Sequence, residues 1–298
     1  MGAAEPPRLA ASDVIEGHAL RARRVPGDPE PGFAGFLDGT QHSRVAHYHD
    51  GVPLVHATVA AVIRFRNERR LYTWNGRPDV QRALYVPRTA VPEALWDHLV
   101  GEFGAVVDTT PRDDAGLERV HPFIHLQRAM HKVQERREEL EEALARRWCE
   151  REERPILVDG GIYRNDVVAR SACAVGVVKS HRTLYAEGDA LSRVLQLRRG
   201  ERSSVVRVSR ASGYRVPVAS WYLRLRDPAG RDPMWGLVRV EAADPGTLSE
   251  SAEQLTARAD QVSRWVLAEV APLALPDARW DKMVYPIRDC EEYLRAVG

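Results

Sequence analysis

The chain has 298 residues, 44% hydrophobic and 29% charged, with 43 Lys+Arg against 42 Asp+Glu. That is the composition of a globular protein long enough for one large domain or two modest ones. A formal net charge of +1 gives no case for or against nucleic acid from bulk charge, so any DNA-binding surface has to be a local patch.

No apolar run reaches about 18 residues, so no membrane span is expected. The first residues, MGAAEPPRLAASD, lack the basic and apolar regions of a secretory signal. Cys149, Cys173 and Cys290 are odd in number and have no CxxC spacing. This argues against a disulfide framework or a cysteine zinc site, and it fits a reducing cytoplasm.

In chain order, residues 1–32 are proline-rich (Pro6, Pro7, Pro26, Pro29, Pro31) and read as an extended arm. Residues 33–298 read as a single domain. Phe33–Thr40 predicts a strand that runs into Asp38-Gly39. Ser43–His49 predicts a second strand, Asp50-Gly51 a hairpin turn, and Val52–Arg66 a long third strand rich in β-branched residues. Three consecutive antiparallel strands, the first ending in Asp, open an RNase H-like fold. Residues from about 67 to 120 read as an insertion with a helix at Val91–Phe103 and a polar loop at Asp108–Gly116.

Residues 122–153 carry the strongest helix pattern, with Leu126, Met130, Val133, Leu140 and Leu144 at helical spacing. Ile156–Val158 then predicts a short buried strand leading into Asp159-Gly160-Gly161. Ala174–Val178 predicts another, ending in Lys179. Further on come a helix around Asp189–Arg199, strands at Ser204–Arg210, Arg215–Arg226 and Trp235–Glu241, and a helix over Ser249–Val270. A short strand at Met283–Tyr285 and a closing helix end the chain. The class is α/β, an RNase H-like mixed sheet flanked by helices, with a helical insertion.

Asp38 and Asp159 each close an apolar strand. Most Asp-Gly pairs are only turns, as Asp50-Gly51 is expected to be. Two at adjacent strand ends, however, can hold two divalent ions for phosphodiester hydrolysis. A third carboxylate would come from the long helix. Glu135, Glu138, Glu139, Glu141, Glu142 and Glu150 are available. Glu139 and Glu141 flank Leu140, each about 100° round the helix from it, and so border its buried stripe. Glu139 is assigned with Asp38 and Asp159 as the metal ligands. Oxygen-only ligands favour Mg2+ or Mn2+ over zinc. Lys179 is placed to offset phosphate charge or to hold a metal-ligating Asp, or it is simply a strand-end lysine that reaches to solvent. His47, His49 and His56 form a rival zinc set, without an HExxH motif or a cysteine partner. No GxSxG elbow and no Gly-rich phosphate loop appears. Trp221, Tyr222 and Trp235 among Arg215, Arg224 and Arg226 suit either base stacking or a hairpin core.

FLDGT, an acidic helix, LVDGG, VGVVK and the late Tyr285-Pro286, in this order, resemble the NurA nucleases. The resemblance implies an RNase H-like, Mn2+- or Mg2+-dependent DNA nuclease. It also implies a homodimer that partners a HerA-like hexameric ATPase in the cytoplasm, in DNA end processing or anti-phage defence. Asp38 and Asp159 match that family's two aspartates, and its glutamate falls within Glu138–Glu142. Lys179 matches the lysine of its GxxK strand and Tyr285 its tail tyrosine. The histidine that follows the Tyr-Pro in that family has no counterpart here; Asp289 and Glu291 occupy that stretch. A non-catalytic RNase H-like subunit that binds DNA or regulates such a complex is the alternative.

Overall fold

The computed structural model describes residues 8–10, 12–67, 70–110, 121–209, 216–270 and 285–297. Its centre is one large mixed sheet. β1 (Gly35–His49) and β2 (Val52–Asn67) form a long antiparallel hairpin about the Asp50-Gly51 turn, and β3 (Asp79–Val86) pairs antiparallel on the far side of β2. On the other side of β1 lie β4 (Ile156–Asp159) and β5 (Ala174–Val178), parallel to each other, with β4 parallel to β1. β6 (Val218–Arg224) and β7 (Leu237–Ala243) continue the sheet antiparallel beyond β5, in the order β6-β7-β5-β4-β1-β2-β3.

β4, β6 and β7 are almost continuously apolar because both faces of the sheet are covered. On one face lies α2 (Pro122–Arg151), which buries Ala129, Val133, Leu140, Leu144 and Trp148 against Leu37, Val59, Ile63 and Ile156. On the other lie α3 (Ala252–Ala268) and α4 (Tyr285–Val297), with Leu255, Val262, Ile287 and Leu294 against Phe36, Leu157, Val177 and Trp221. A separate helix, α1 (Glu93–Phe103), covers the outer end of the hairpin through Leu99, Leu54 and Leu84. Among the described residues, no helix is long and apolar enough to cross a membrane.

Several elements differ from the sequence reading, each for a physical reason. The predicted strands Phe33–Thr40 and Ser43–His49 are one strand. The polar run between them stays extended because Gln41, His42 and Ser43 pair with Val59, Thr58 and Ala57. The third antiparallel strand is β3, inside the stretch read as an insertion. α3 starts three residues later than Ser249. Ser249 adopts a positive φ, and Ser251 caps the helix in a capping box with Gln254. The predicted Met283–Tyr285 strand lies mostly outside the described residues, and Tyr285 itself opens α4.

The described part of residues 1–32 is strapped along the sheet. Asp13–Val14 pairs with Val206–Val208, and Ala22–Arg24 pairs with Glu201–Ser203. The strap is locked by a buried ion network. Arg202 is 0% exposed; its guanidinium donates to both Glu16 oxygens at 2.7 and 2.9 Å and to Asp260 on α3 at 2.6 Å. Burial pushes the Glu16 carboxyl up, but Arg202 and the Val205 N–H outweigh it and hold the group below its usual range. Removing one partner would strand a buried charge. Arg202→Ala is therefore expected to cost roughly 3–5 kcal/mol, read as a lower urea midpoint. An unchanged midpoint would show that the strap adds nothing.

Candidate active site

The parallel register of β1 and β4 brings Leu37 level with Val158. One step further on, Asp38 stands beside Asp159, both on the face covered by α4. β4 ends there, whereas β1 runs on to His49 with only β2 as its neighbour. The mismatch in strand length opens a notch at the end of β4. Gly160, at φ +132, turns the chain away from it, and the Gly160 N–H donates to Val177 O at 3.1 Å. Glu241 on β7 holds the following turn. It is fully buried, accepts from the Ile162 N–H at 3.0 Å and pairs with Arg239 at 2.8 Å.

Glu141 reaches the same notch from α2. A Cβ on Gly39 would collide with the Glu141 carboxylate and stand 2.9 Å from its Cγ and Cδ. The absence of a side chain at position 39 therefore admits the glutamate to the sheet. Arg137, one turn earlier, pairs with Glu141 at 2.5 Å and donates to Gln41 on β1 at 3.2 Å. Lys179, just past β5, places Nζ 2.8 Å from Asp159 Oδ2.

Three carboxylates thus share a mostly dry site with two cations. Burial, reinforced by Asp159, pushes the Asp38 carboxyl well above the usual carboxylate range; Lys179 opposes the shift and Glu141 adds to it. Burial raises Glu141 to about 7, against Arg137 and with the help of Asp159 and Glu138. The Gly39 N–H donates to Asp38 Oδ1 at 2.8 Å, a contact that favours the ionised form.

The structure brings Asp38, Glu141, Asp159 and Lys179 together. Glu139 stands apart: its carboxylate is 59% exposed and paired with Arg136 at 2.5 Å. Glu138, between them, pairs with Arg164. The Tyr285 side chain lies outside the described residues. Asp289 on α4 is bound by Arg64 of β2 at 2.6 Å, and Glu291 pairs with Arg295. Arg137, Gly39 and Glu241 were not singled out from the sequence. For Glu241, the available signal was a charged pair, Arg239 and Glu241, inside an otherwise apolar strand. Trp221, Tyr222 and Arg224 are buried rather than displayed to a ligand.

The donor chemistry of the three carboxylates suits a hard divalent cation. Two of them already have a cation: Lys179 covers one oxygen of Asp159, and Arg137 covers Glu141. Among the described residues, no three or more His, Cys, Asp and Glu side chains form a group that could hold a metal ion as they stand. This includes His47, His49 and His56, whose register partners are Leu54, Val52 and Arg44.

No family model matches the chain, and no curated protein matches it. Among solved structures, it is similar to the crystal structure of the NurA nuclease from Sulfolobus solfataricus, with a TM-score of 0.48 and 10% identity, over 95% of this chain and 81% of that one.

The raised Glu141 carboxyl sets a pH dependence of stability. Its pKa in the folded chain, about 7, lies above the ordinary 4.5, so its contribution is complete below pH 4.5 and is lost as pH rises through 7. With divalent ions chelated, Glu141→Gln should remove a component on the order of 3 kcal/mol from the fall in stability between pH 4.5 and 7. Gly39→Ala should remove the same component by displacing the carboxylate, because Gly39 has no positive φ that would strain alanine. Urea midpoints at pH 5 and 8 measure both. A wild-type pH profile in either variant would place Glu141 outside the cluster.

Proposed function

We propose that this chain is a metal-dependent nuclease that hydrolyses phosphodiester bonds of DNA, built on an RNase H-like sheet. One observation carries the reading: Asp38 and Asp159, distant in sequence, lie side by side at the end of a buried parallel strand pair, with Glu141 joining them from α2. Support for the RNase H-like assignment comes from three antiparallel strands, the first bearing Asp38, then a long helix, then a strand parallel to the first that bears Asp159. Asp38, Asp159 and Glu141 would hold Mn2+ or Mg2+, with Glu141 in the place first given to Glu139. Bound there, a divalent cation supplies polarisation of the phosphate and a more acidic attacking water. Lys179, already on Asp159, orients that carboxylate and offsets anionic charge near a scissile phosphate. Gly39 leaves room for Glu141, and Arg137 aims it.

The sequence motifs extend the proposal to a homodimer working with a HerA-like hexameric ATPase in end processing or anti-phage defence. The second reading, a non-catalytic DNA-binding or regulatory subunit, draws on the same contacts, because Lys179 and Arg137 already answer two of the three carboxylates.

Linear and single-stranded DNA, incubated with the chain and Mn2+ or Mg2+, with and without a HerA-type ATPase, separates the two. Asp38→Asn, Asp159→Asn and Glu141→Gln should each slow cleavage by at least about 100-fold, with Glu139→Gln close to wild type. Cleavage indifferent to Asp38→Asn and Asp159→Asn, or absent under every condition, would leave the non-catalytic reading.

A further inference from the structure

Cys149 lies near the C-terminal end of α2, and Cys173 lies at the entry to β5. Their sulfurs are 3.8 Å apart. Ser171 Oγ sits 3.1 Å from the Cys173 sulfur, and the Glu152 carbonyl oxygen lies 3.9 Å from it. The Cys173 carbonyl accepts from the Ile156 N–H at 2.9 Å, which fixes this thiol at the base of both parallel strands. Cys149 is half-buried and Cys173 buried. Cys290 is buried on the opposite face of the sheet, with its thiol donating to Phe36 O at 3.3 Å.

The two thiols differ in acidity. The hydrogen bond with Cys149 pulls Cys173 below the ordinary thiol value, against burial and with help from Ser171. The same contact, together with burial, pushes Cys149 up. The contact couples the two thiols, so that one is more easily ionised while the other holds its proton.

We propose that Cys149 and Cys173 form a hydroperoxide-responsive thiol pair that closes to a reversible disulfide. In the first step the thiolate of one of the pair attacks one oxygen of the peroxide. The O–O bond breaks, an S–O bond forms, and the departing oxygen takes a proton to leave as water. In the second step the other sulfur attacks the sulfenic acid. The S–S bond forms and the hydroxyl leaves as water with the proton of the attacking thiol. Peroxide is reduced by two electrons and the two thiols are oxidised. The sulfurs have to approach from 3.8 Å to about 2.05 Å. The resulting loop encloses all of β4 and the Asp159-Gly160-Gly161 turn, and it ties them to the helix that carries Glu141. The pair does not depend on the nuclease reading.

The test treats the full chain with stoichiometric hydrogen peroxide, quenches it in denaturant with an alkylating agent, and reads the mass. The three thiols should fall to one, that of Cys290, with a Cys149–Cys173 disulfide peptide recovered and reversed by dithiothreitol. The oxidised chain should also melt at higher temperature. In Cys149→Ser or Cys173→Ser, oxidation should stop at a dimedone-reactive sulfenic acid on the remaining thiol of the pair, and a melt of each reduced variant checks that it is folded. Retention of all three thiols, a disulfide through Cys290, or direct passage of either thiol to sulfinic acid in the wild type would overturn the proposal. The wild-type thiol count decides the matter even where the variant does not fold.

Discussion

The parallel pairing of β1 with β4 is the contact on which the rest of the site depends. It sets Asp38 and Asp159 side by side where water is largely excluded, and like charges in such a place repel strongly. Their neighbours answer that repulsion. Lys179 sits on Asp159, the Gly39 N–H serves Asp38, and Arg137 reaches over from α2 to Glu141. The brevity of β4 matters equally. It spans four residues against fifteen in β1, so the edge of β1 is bare beyond Asp38 and a helix side chain can approach it. A longer β4 would fill the notch with backbone and leave Glu141 nowhere to go.

Part of this was legible in the sequence: the apolar run ending in Asp159-Gly160 marks where β4 stops and the chain turns, whereas at Asp38-Gly39 only the apolar run ends and β1 continues to His49. The glutamate was legible only to a pair. Glu139 and Glu141 each lie about 100° from Leu140, but on opposite sides of it, so no more than one of them can border a given notch. Sequence periodicity fixes the buried stripe of α2 and leaves open which flank faces the end of β4. That choice follows from the direction in which α2 crosses the sheet, and the crossing is set by packing of Trp148 and Leu144 over β1 and β4. β3 was hidden for a related reason. Its sequence, DVQRALYV, alternates weakly, and it is held as a strand by its long register with β2 from Val55 to Ala61.

The second half of the sheet is stabilised by a different means. Arg202 and Arg224 are both fully buried in the C-terminal strands, yet their partners are opposite in kind. Arg202 satisfies two carboxylates and thereby ties residues near the start of the described chain to α3. Arg224 has no carboxylate against it in its hydrogen bonds; it donates to the carbonyls of Leu195, Leu197, Pro233 and Trp235 and so closes two loop ends onto β6. Arg224 ends a largely apolar strand, whereas Arg202 is the centre of the short polar strand Glu201–Ser203. Their fan of donors turns irregular backbone into a fixed edge. β7, paired along its length with β6 and on its other edge with β5, presents Glu241 to the turn after Asp159. The positions of the catalytic candidates and the packing of the distant edge are parts of one arrangement.

The acid cluster has two ways to settle its charge, and they exclude each other. Three carboxylates face two cations, and burial with mutual repulsion raises the Asp38 and Glu141 carboxyls, which favours their protonated forms. A divalent cation would lower the excess charge by direct coordination, which requires those oxygens to be ionised. Protons and cation therefore compete for the same oxygens. On the proposed reading, a cation bound at this notch would displace protons, and its affinity would rise with pH through the range in which Glu141 titrates. The burial that places the carboxylates also makes them reluctant to ionise. Occupancy of the notch would then depend on pH as well as on cation concentration.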